Sequence, residues 1–256
     1  MNAKKAVAIV GAGPGLGAAL AETFARAGHP VAIGARTLSK LETLAASINE
    51  TTQGSGSPQV KAFSVDATDT RSVRDFVKKA SGAWSADTHL HIGVWNPNTG
   101  FGIRPFQEWT EAQVNEALQV QVLGTHAFTQ QFLETLGEPT SDISAPSHRA
   151  TLLYTGATAA HKGAAKFAGF AAAKAGLRML VESLAREKGK QGVHACHIVV
   201  DGLIDTEHVA KAMGPASHPN QRINVNDLAA QFYHIHQQPM SVWSSELAVR
   251  PFSEQW

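Results

Sequence analysis

The chain has 256 residues, of which 43% are hydrophobic and 17% are charged, and its formal net charge is +1. This length suits one α/β domain with a large core, while the near-zero charge argues against nucleic acid or an anionic membrane as a partner. The single cysteine, Cys196, excludes a disulfide framework, and with neither a long apolar run nor a basic leader we expect a cytoplasmic protein without a membrane span.

The first predicted element is a buried strand that runs directly into a glycine-rich turn and a helix. Ala6–Val10 is a continuous apolar run, and Ala18–Ala27 has the composition of a helix that ends at Gly28. A strand, a glycine turn and a helix in this order aim backbone N–H groups and a positive helix end at one point. This arrangement predicts an anion site that suits a pyrophosphate.

The glycines of this turn allow two registers. Gly13-x-Gly15-x-x-Ala18 fits the dinucleotide fingerprint only if the strand continues past Gly11. Gly11-x-x-x-Gly15-x-Gly17 fits if the strand ends at Val10, and we favour this second register.

Strands and helices alternate through the rest of the chain. Further strands are predicted at His29–Arg36, Val60–Val65, Leu90–Trp95, Ala150–Thr155 and Val193–Val200. Helices are predicted at Leu38–Asn49, from a Thr68 or Asp69 cap to Ala80, from a Thr110–Gln113 capping box to Leu136, and at Phe167–Lys188. Polar loops are predicted at Thr51–Pro58 and Gly137–His148. This alternation predicts a parallel, doubly wound sheet in a single domain over residues 1–256.

The favoured glycine spacing resembles the Thr-Gly-x-x-x-Gly-x-Gly motif of the short-chain dehydrogenase/reductase family, with Val10 in place of the Thr. The resemblance implies a Rossmann-like NAD(P)-binding fold over the whole chain. It also implies that a nicotinamide cofactor is held by Gly11, Gly15, Leu16, Gly17, Asp66, Ala67, Asn96, Lys174 and Thr206.

Three later segments carry the same resemblance. Asp66-Ala67 resembles the segment that contacts the adenine, Asn96 occupies the second Asn position of an Asn-Asn-Ala-Gly motif, and Thr206 ends the loop that reaches the nicotinamide. Ser245–Val249 resembles the last strand of the family, but the tail after it is divergent.

The end of the second strand predicts the choice of cofactor. Gly34-Ala35-Arg36 offers no acid to bind the ribose hydroxyls of NAD, and the Arg36 guanidinium can bind a 2′-phosphate bidentately. We therefore expect NADP(H) to be favoured over NAD(H).

The resemblance also locates the catalytic positions of the family, and three of the four are changed. Lys174 is present, but Phe170 stands in the Tyr position, Ala157 in the Ser position and Gln121 in the Asn position. Carbonyl reduction by the usual mechanism of the family should be very slow, because a positioned acid or base increases the rate by about 10²–10⁴-fold. Redox chemistry could persist if Lys174 or a substrate proton replaced the phenol.

Few side chains could substitute for the missing donors. Tyr154 on the fifth strand is expected to be a packed aromatic, and the Thr155 and Thr158 hydroxyls are expected to be ordinary strand-end groups. His161, in the small-residue loop before the helix predicted at Phe167–Lys188, is a further candidate that could titrate near neutrality, although an ordinary surface histidine is favoured. Asp201 is as compatible with loop capping as with function.

The histidines do not predict a metal site. Spacing of the kind that zinc ligands show is absent from the pairs His89/His91, His194/His197 and His234/His236. No carboxylate or cysteine cluster accompanies them in sequence, so we expect scattered strand and surface histidines.

Two functions remain open at this point. One is an NADP-dependent oxidoreductase with an atypical active site, acting on a small carbonyl, alcohol or activated alkene; the other is a catalytically inactive NADP(H)-binding sensor or interaction protein. The resemblance implies a homodimer or homotetramer formed through the helices predicted at Thr110–Leu136 and Phe167–Lys188.

Overall fold

A computed structural model describes residues 4–52, 59–99, 103–138 and 148–254. Its centre is one seven-stranded parallel sheet with the order β3-β2-β1-β4-β5-β6-β7. The strands are β1 (Lys4–Val10), β2 (Val31–Ala35), β3 (Val60–Ser64), β4 (Thr88–Trp95), β5 (Ala150–Thr155), β6 (Val193–Val200) and β7 (Glu246–Val249). The predicted α/β fold with a doubly wound parallel sheet is confirmed.

Helices cover both faces of the sheet. They are α1 (Leu16–Arg26), α2 (Leu38–Thr51), α3 (Thr70–Ser81), α4 (Glu111–Leu118), α5 (Thr125–Thr135), α6 (Ala168–Lys188), α7 (Glu207–Met213) and α8 (Val225–His236). Alternation along β1 divides the core, because Val7 and Ile9 pack with α1, α2 and α8, whereas Ala8 and Val10 pack with α3, α5 and α6. No helix within the described residues combines the length and apolarity needed to cross a bilayer.

Several predicted boundaries are confirmed. β1 ends at Val10, and β5 and β6 have the predicted bounds. The capping box at the start of α4 is present, with Thr110 accepting from the Gln113 backbone and Gln113 from the Thr110 backbone. Of the two candidate caps for α3, Asp69 accepts the Arg71 backbone N–H at 2.9 Å.

The long helix predicted to run to Leu136 is interrupted by a π-helical segment, Gln119–Gly124. The Gln121 side chain donates to the Pro97 carbonyl at 2.9 Å, and Thr125 Oγ1 donates to the Gln121 carbonyl at 2.7 Å. A Cβ on Gly124 would lie 2.7 Å from the Ala67 carbonyl oxygen. The wider π turn therefore accommodates close contacts with two strand-end loops, a use that single π turns often have near functional sites.

Two helices, α7 and α8, are not among the elements predicted from the sequence. Both carry a side-chain cap, since Thr206 accepts from the Val209 backbone and Asn224 from the Asn226 and Asp227 backbone. Residues 53–58 of the predicted first loop and 139–147 of the second lie outside the described residues.

Candidate active site

The glycine turn joins β1 to α1 at the carboxyl edge of the sheet. Gly11 and Gly15 have φ angles of 87° and 106°, and glycine tolerates positive φ without steric cost. A Cβ on Gly11 would lie 2.6 Å from the Asn96 carbonyl carbon, and one on Gly17 would lie 2.3 Å from the Gly11 oxygen. The space around Gly13 is open. The backbone therefore needs glycine at the three positions of the favoured register.

The first turn of α1 faces this glycine turn. Leu16 is the first helical residue and is buried, and Gly15 is an N-cap without a side chain to accept the N–H groups behind it. Thr206 Cγ2 lies 2.9 Å from the point that a Gly15 Cβ would occupy. A helix N-terminus left uncapped beside a glycine turn is a favourable place for a phosphate group.

A chain of hydrogen bonds connects the glycine turn to Lys174. Asn96 Nδ2 donates to the Gly11 carbonyl at 2.9 Å, and its Oδ1 accepts from Thr155 Oγ1 at 2.8 Å. Lys174 Nζ then donates to the Thr155 carbonyl at 2.8 Å. Four separate segments are held in register by this path: the ends of β1, β4 and β5, and α6.

Lys174 is only 3% exposed. Burial disfavours its charged form and lowers the pKa of the amine from 10.5 to about 7. The amine can therefore gain or lose a proton near neutral pH.

Phe170, Ala157 and Gln121, which the resemblance aligns with catalytic positions of the family, provide no hydroxyl. Phe170 is buried one turn before Lys174, whose Nζ lies 5.9 Å from the centroid of the Phe170 ring. Ala157 is half-buried just beyond β5, and Gln121 is buried with its Oε1 lacking a partner among the described residues. The buried amine is thus adjacent to an aromatic ring that cannot donate a proton.

The nearby hydroxyls are already engaged. The Tyr154 hydroxyl lies 2.7 Å from Thr129 Oγ1 inside the core, which confirms a packed aromatic, and burial raises its pKa. Thr155 Oγ1 donates to Asn96, and Thr158 Oγ1 donates to Asp201. Asp201 also lies 3.3 Å from an Arg250 guanidinium nitrogen, so its carboxylate links two loops.

Arg36 and Asp66 lie at the ends of neighbouring strands on the other side of the glycine turn. Arg36 is exposed directly after β2. The Asp66 carboxylate accepts from the Thr68 backbone at 2.9 Å and from its hydroxyl at 2.8 Å. These bonds, together with the charge of Arg36, lower the pKa of Asp66, and half-buried Ala67 follows it.

The expectation that the paired histidines lack a carboxylate is wrong. Glu246 Oε2 lies 2.9 Å from His197 Nδ1, and Glu246 Oε1 lies 3.5 Å from His161 Nε2. The partners are 49 and 85 positions apart in the chain, so sequence spacing could not reveal them.

A second group of histidines is also clustered rather than scattered. The His91 ring lies 4.8 Å from that of His148 and 5.9 Å from that of His236. Thr151 Oγ1 bonds both His148 and His236 at 2.9 Å. Burial lowers the pKa values of His91, His148 and His236 to about 2, 4 and 3.

Thr155 has a connecting role that was not predicted from the sequence. Its hydroxyl and its carbonyl bond different partners, Asn96 and Lys174. The available signal was its position as the last residue of β5, directly before a glycine and facing the candidate lysine helix.

A parallel sheet with this strand order and a glycine turn where the order reverses, between β1 and β4, defines the class of dinucleotide-binding folds. The comparisons with known proteins refine that class. A sequence profile described as short chain dehydrogenase matches residues 5–215. The chain therefore belongs to the short-chain dehydrogenase family, whose members are NAD(P)-dependent oxidoreductases.

Individual relatives are distant. Human retinol dehydrogenase 11 is 32% identical over 143 residues, which represent 56% of this chain but only 41% of that protein. A short-chain dehydrogenase structure from Rhodopseudomonas palustris is 25% identical with a TM-score of 0.76, covering 97% of this chain and 99% of the other. An alcohol dehydrogenase from the archaeon Thermococcus sibiricus, solved with 5-hydroxy-NADP, has a TM-score of 0.80 at 21% identity over 98% of this chain and 99% of the other, and it shares the fold.

Proposed function

We propose that this protein is an NADP-dependent oxidoreductase with an atypical active site, acting on a small carbonyl, alcohol or activated alkene. The observation that carries the proposal is the hydrogen-bonded path from Gly11 through Asn96 and Thr155 to Lys174. It connects a turn suited to phosphate with a buried amine whose pKa is about 7. Groups whose pKa is shifted by burial concentrate at functional sites.

The residues of the glycine turn fit a dinucleotide. Gly11, Gly15 and Gly17 leave room for the backbone to approach a pyrophosphate, and the uncapped N-terminus at Leu16 offers N–H donors to it. Thr206 lies against the same turn. By resemblance to the family, Asp66 with Ala67 would hold the adenine, Asn96 would contribute to cofactor binding, and the loop that ends at Thr206 would reach the nicotinamide.

The bound nicotinamide would supply a hydride, and this chain would supply orientation and a proton. Lys174 is the ionisable group that the hydrogen-bonded path reaches, and its amine already donates to the Thr155 carbonyl. Phe170 excludes water from one side of that amine because its ring is buried against it. We infer that Lys174 both positions the cofactor ribose and moves the proton that a tyrosine moves in most of the family.

Arg36 supports a preference for NADP(H). Its exposed guanidinium follows β2, and Ala35 leaves no acid there to repel a 2′-phosphate. An Arg fork binds phosphate through two parallel hydrogen bonds. The Thermococcus alcohol dehydrogenase solved with an NADP derivative presents the same fold.

A catalytically inactive NADP(H) sensor is the second candidate, and Phe170 with Ala157 favours it. Neither side chain carries a hydroxyl, so two donors of the family's usual mechanism are missing. The two candidates share a cofactor site and differ in whether NADPH is consumed.

Titration with NADPH and NADH, followed by a substrate screen, tests these proposals. We expect NADPH to bind at least tenfold more tightly, and Arg36→Ala to remove most of the preference. Lys40→Ala, an exposed lysine in the following helix, is the matched control. Equal affinities in the parent protein would contradict the NADP assignment. Tight NADPH binding with no oxidation across carbonyls, quinones and enones would favour the sensor.

We also propose that the protein is a homodimer or homotetramer formed through α5 and α6. Leu123, in the π-helical segment before α5, and Met179, in α6, are 46% and 47% exposed. A surface cleft of about 260 Å³ between the two helices has a largely apolar lining that includes Leu133, Leu180 and Leu184. Light scattering that returned the monomer mass of 27.2 kDa at micromolar concentration would contradict this proposal.

A further inference from the structure

Three potential metal ligands converge on the face of the sheet that α6 covers. His161 follows a short 3₁₀ turn after β5, His197 lies within β6, and Glu246 is the first residue of β7. One ligand atom from each lies within 4.8 Å of the other two. The group belongs to none of the positions assigned above to the cofactor or the proton.

This ligand set has a definite chemical preference. Two imidazoles and one carboxylate suit Zn²⁺ and neighbouring transition metals, whereas Mg²⁺ and Ca²⁺ prefer sets made only of oxygen. His197 and Glu246 also line a surface cavity of about 370 Å³. An ion bound there could be reached from solvent and could keep a water molecule as a fourth ligand.

In the structure, the Arg178 guanidinium is hydrogen-bonded to the Glu246 carboxylate. Its Nε lies 2.7 Å from Glu246 Oε2, and a terminal nitrogen lies 3.2 Å from Oε1. A guanidinium and a divalent cation on one carboxylate repel each other, so the two must compete for Glu246.

Glu182 gives Arg178 a second place to bind. It lies four residues further along α6, on the same helix face, and lines the same cavity. Its charge already acts on Arg178, while its carboxylate accepts from Arg186 at 2.7 Å. Rotation of the half-buried Arg178 side chain from Glu246 to Glu182 would therefore free the ligand set without moving the backbone.

We propose that His161, His197 and Glu246 bind one Zn²⁺ or a similar divalent transition-metal ion, which displaces Arg178 from Glu246. The ion would fix the loop that contains Thr158 and His161 to β6 and β7. Ala157 immediately precedes that loop, and the ring of His197 packs against Gly156, because a Cβ there would lie 2.2 Å from His197 Nε2. Metal binding would thus restrain the strand end that carries the candidate active site.

The test uses the full-length protein, freed of metal by chelation and titrated with ZnCl₂ by calorimetry and with CoCl₂ by visible absorption. We expect one equivalent to bind, His161→Ala to weaken binding at least tenfold, and Arg178→Gln to tighten it at least threefold. The higher zinc affinity of Arg178→Gln is the more specific of these results, because the loss of an ion pair with a purely structural role would not raise the affinity for metal.

Two controls keep the result specific. His234→Ala removes an exposed histidine of α8 and should leave zinc affinity unchanged, and MgCl₂ should not compete. Circular dichroism verifies that each variant is folded. Zinc affinity that is unchanged in His161→Ala, or unchanged or weaker in Arg178→Gln, would overturn the proposal.

Discussion

Ionisable side chains are buried both at the carboxyl edge of the sheet, where the parallel strands end, and at its amino edge, where they begin. The groups that surround these side chains differ between the two edges. At the carboxyl edge, Lys174 is a single buried amine that donates to the backbone of Thr155. At the amino edge, His91 and His236 pack against other imidazoles, and His236 bonds a threonine hydroxyl. The charges that act on these histidines are positive, from Lys5 and neighbouring histidines, so burial and repulsion both favour the neutral form.

The two environments have different consequences for protonation. Lys174 can change its charge within the folded protein, whereas His91 and His236 gain a proton only when the chain unfolds. The pKa of Lys174 is about 7, so its amine changes charge within the native state near neutral pH. The pKa values of His91 and His236, about 2 and 3, keep both rings neutral in the folded protein. The group at the carboxyl edge can therefore exchange a proton near neutral pH in the folded protein, whereas we expect the groups at the amino edge to make folding sensitive to acid.

The largest effect is expected from Lys174→Met. If Lys174 positions the cofactor and moves the proton, the rate with the best substrate of a carbonyl panel should fall about 10³-fold. Removing a buried cation should at the same time raise the melting temperature at pH 7. The pKa of Lys174 is lower in the folded than in the unfolded chain, so the protonated amine destabilises the folded state. This destabilisation is complete below pH 7 and decreases as pH rises from 7 towards 10.5.

We therefore expect Lys174→Met to lower the reaction rate and to raise the melting temperature. Lys162→Met, at an exposed loop position, is the matched control and should alter neither quantity. A variant that melts lower and binds NADPH normally would show that Lys174 is structural, which would erase the contrast between the two edges.

The next effect concerns acid. Because the histidine pKa values are lowered in the folded state, the unfolded chain binds more protons below pH 6.5, and stability falls as pH falls through that range towards the folded values. Each of His91 and His236 should cost about 1.4 kcal/mol at pH 5.5, or about 3 kcal/mol together. Urea unfolding at pH 7.5 and pH 5.5 measures the total loss, to which His148 and His197, whose pKa values burial lowers to about 4, also contribute.

The variant His91→Leu should reduce the loss of stability between pH 7.5 and pH 5.5 by about 1.4 kcal/mol, which is the share of His91. His91 Nε2 is buried without a hydrogen-bond partner among the described residues, so an apolar replacement of similar size is tolerable there. Exposed His234→Leu on α8 should leave the pH dependence unchanged. Equal urea midpoints at the two pH values would mean that the amino edge does not control acid stability.

Local patterns were sufficient to predict most of the fold. Apolar runs predicted the bounds of β5 and β6, and the Thr110–Gln113 pair predicted the start of α4. Both signals lie within a few residues of the element that they define. The caps Thr206 and Asn224 were equally local and could have predicted α7 and α8. The π turn at Gln121 could not be predicted, since it depends on contacts with Pro97 and Ala67 from other loops.

The candidate site was predictable as a set of positions but not as a set of contacts. Resemblance to the family identified Asn96 and Lys174, yet Thr155, which joins them, matched no motif. The link between His197 and Glu246 spans 49 positions and exists because β6 and β7 are neighbours in the sheet. Strand order, and not spacing along the chain, creates such sites.

The smallest effect, and the one that distinguishes the two proposed functions, comes from restoring the missing hydroxyls. Phe170→Tyr places a phenol one turn from Lys174 on the same helix face, and Ala157→Ser adds a second donor at the end of β5. Each change adds one oxygen and should cost about 1–2 kcal/mol if that oxygen is left unpaired. If the cleft still accepts a carbonyl substrate, the double variant should reduce ketones or quinones with NADPH at least tenfold faster, a gain of about 1.4 kcal/mol in barrier.

Phe63→Tyr provides the matched control for that gain. It adds the same phenol on β3, an edge strand that four other strands separate from β6, whereas α6 packs against β6. The double variant and this control should bind NADPH equally, so only the position of the hydroxyl distinguishes them. A folded double variant that binds NADPH and shows no gain on any carbonyl would refute a degenerate carbonyl reductase. If an activity of the parent protein fell in that variant, the chemistry would depend on the hydroxyl-free pocket itself, because Phe170 then packs against Lys174 for a reaction that needs no phenol.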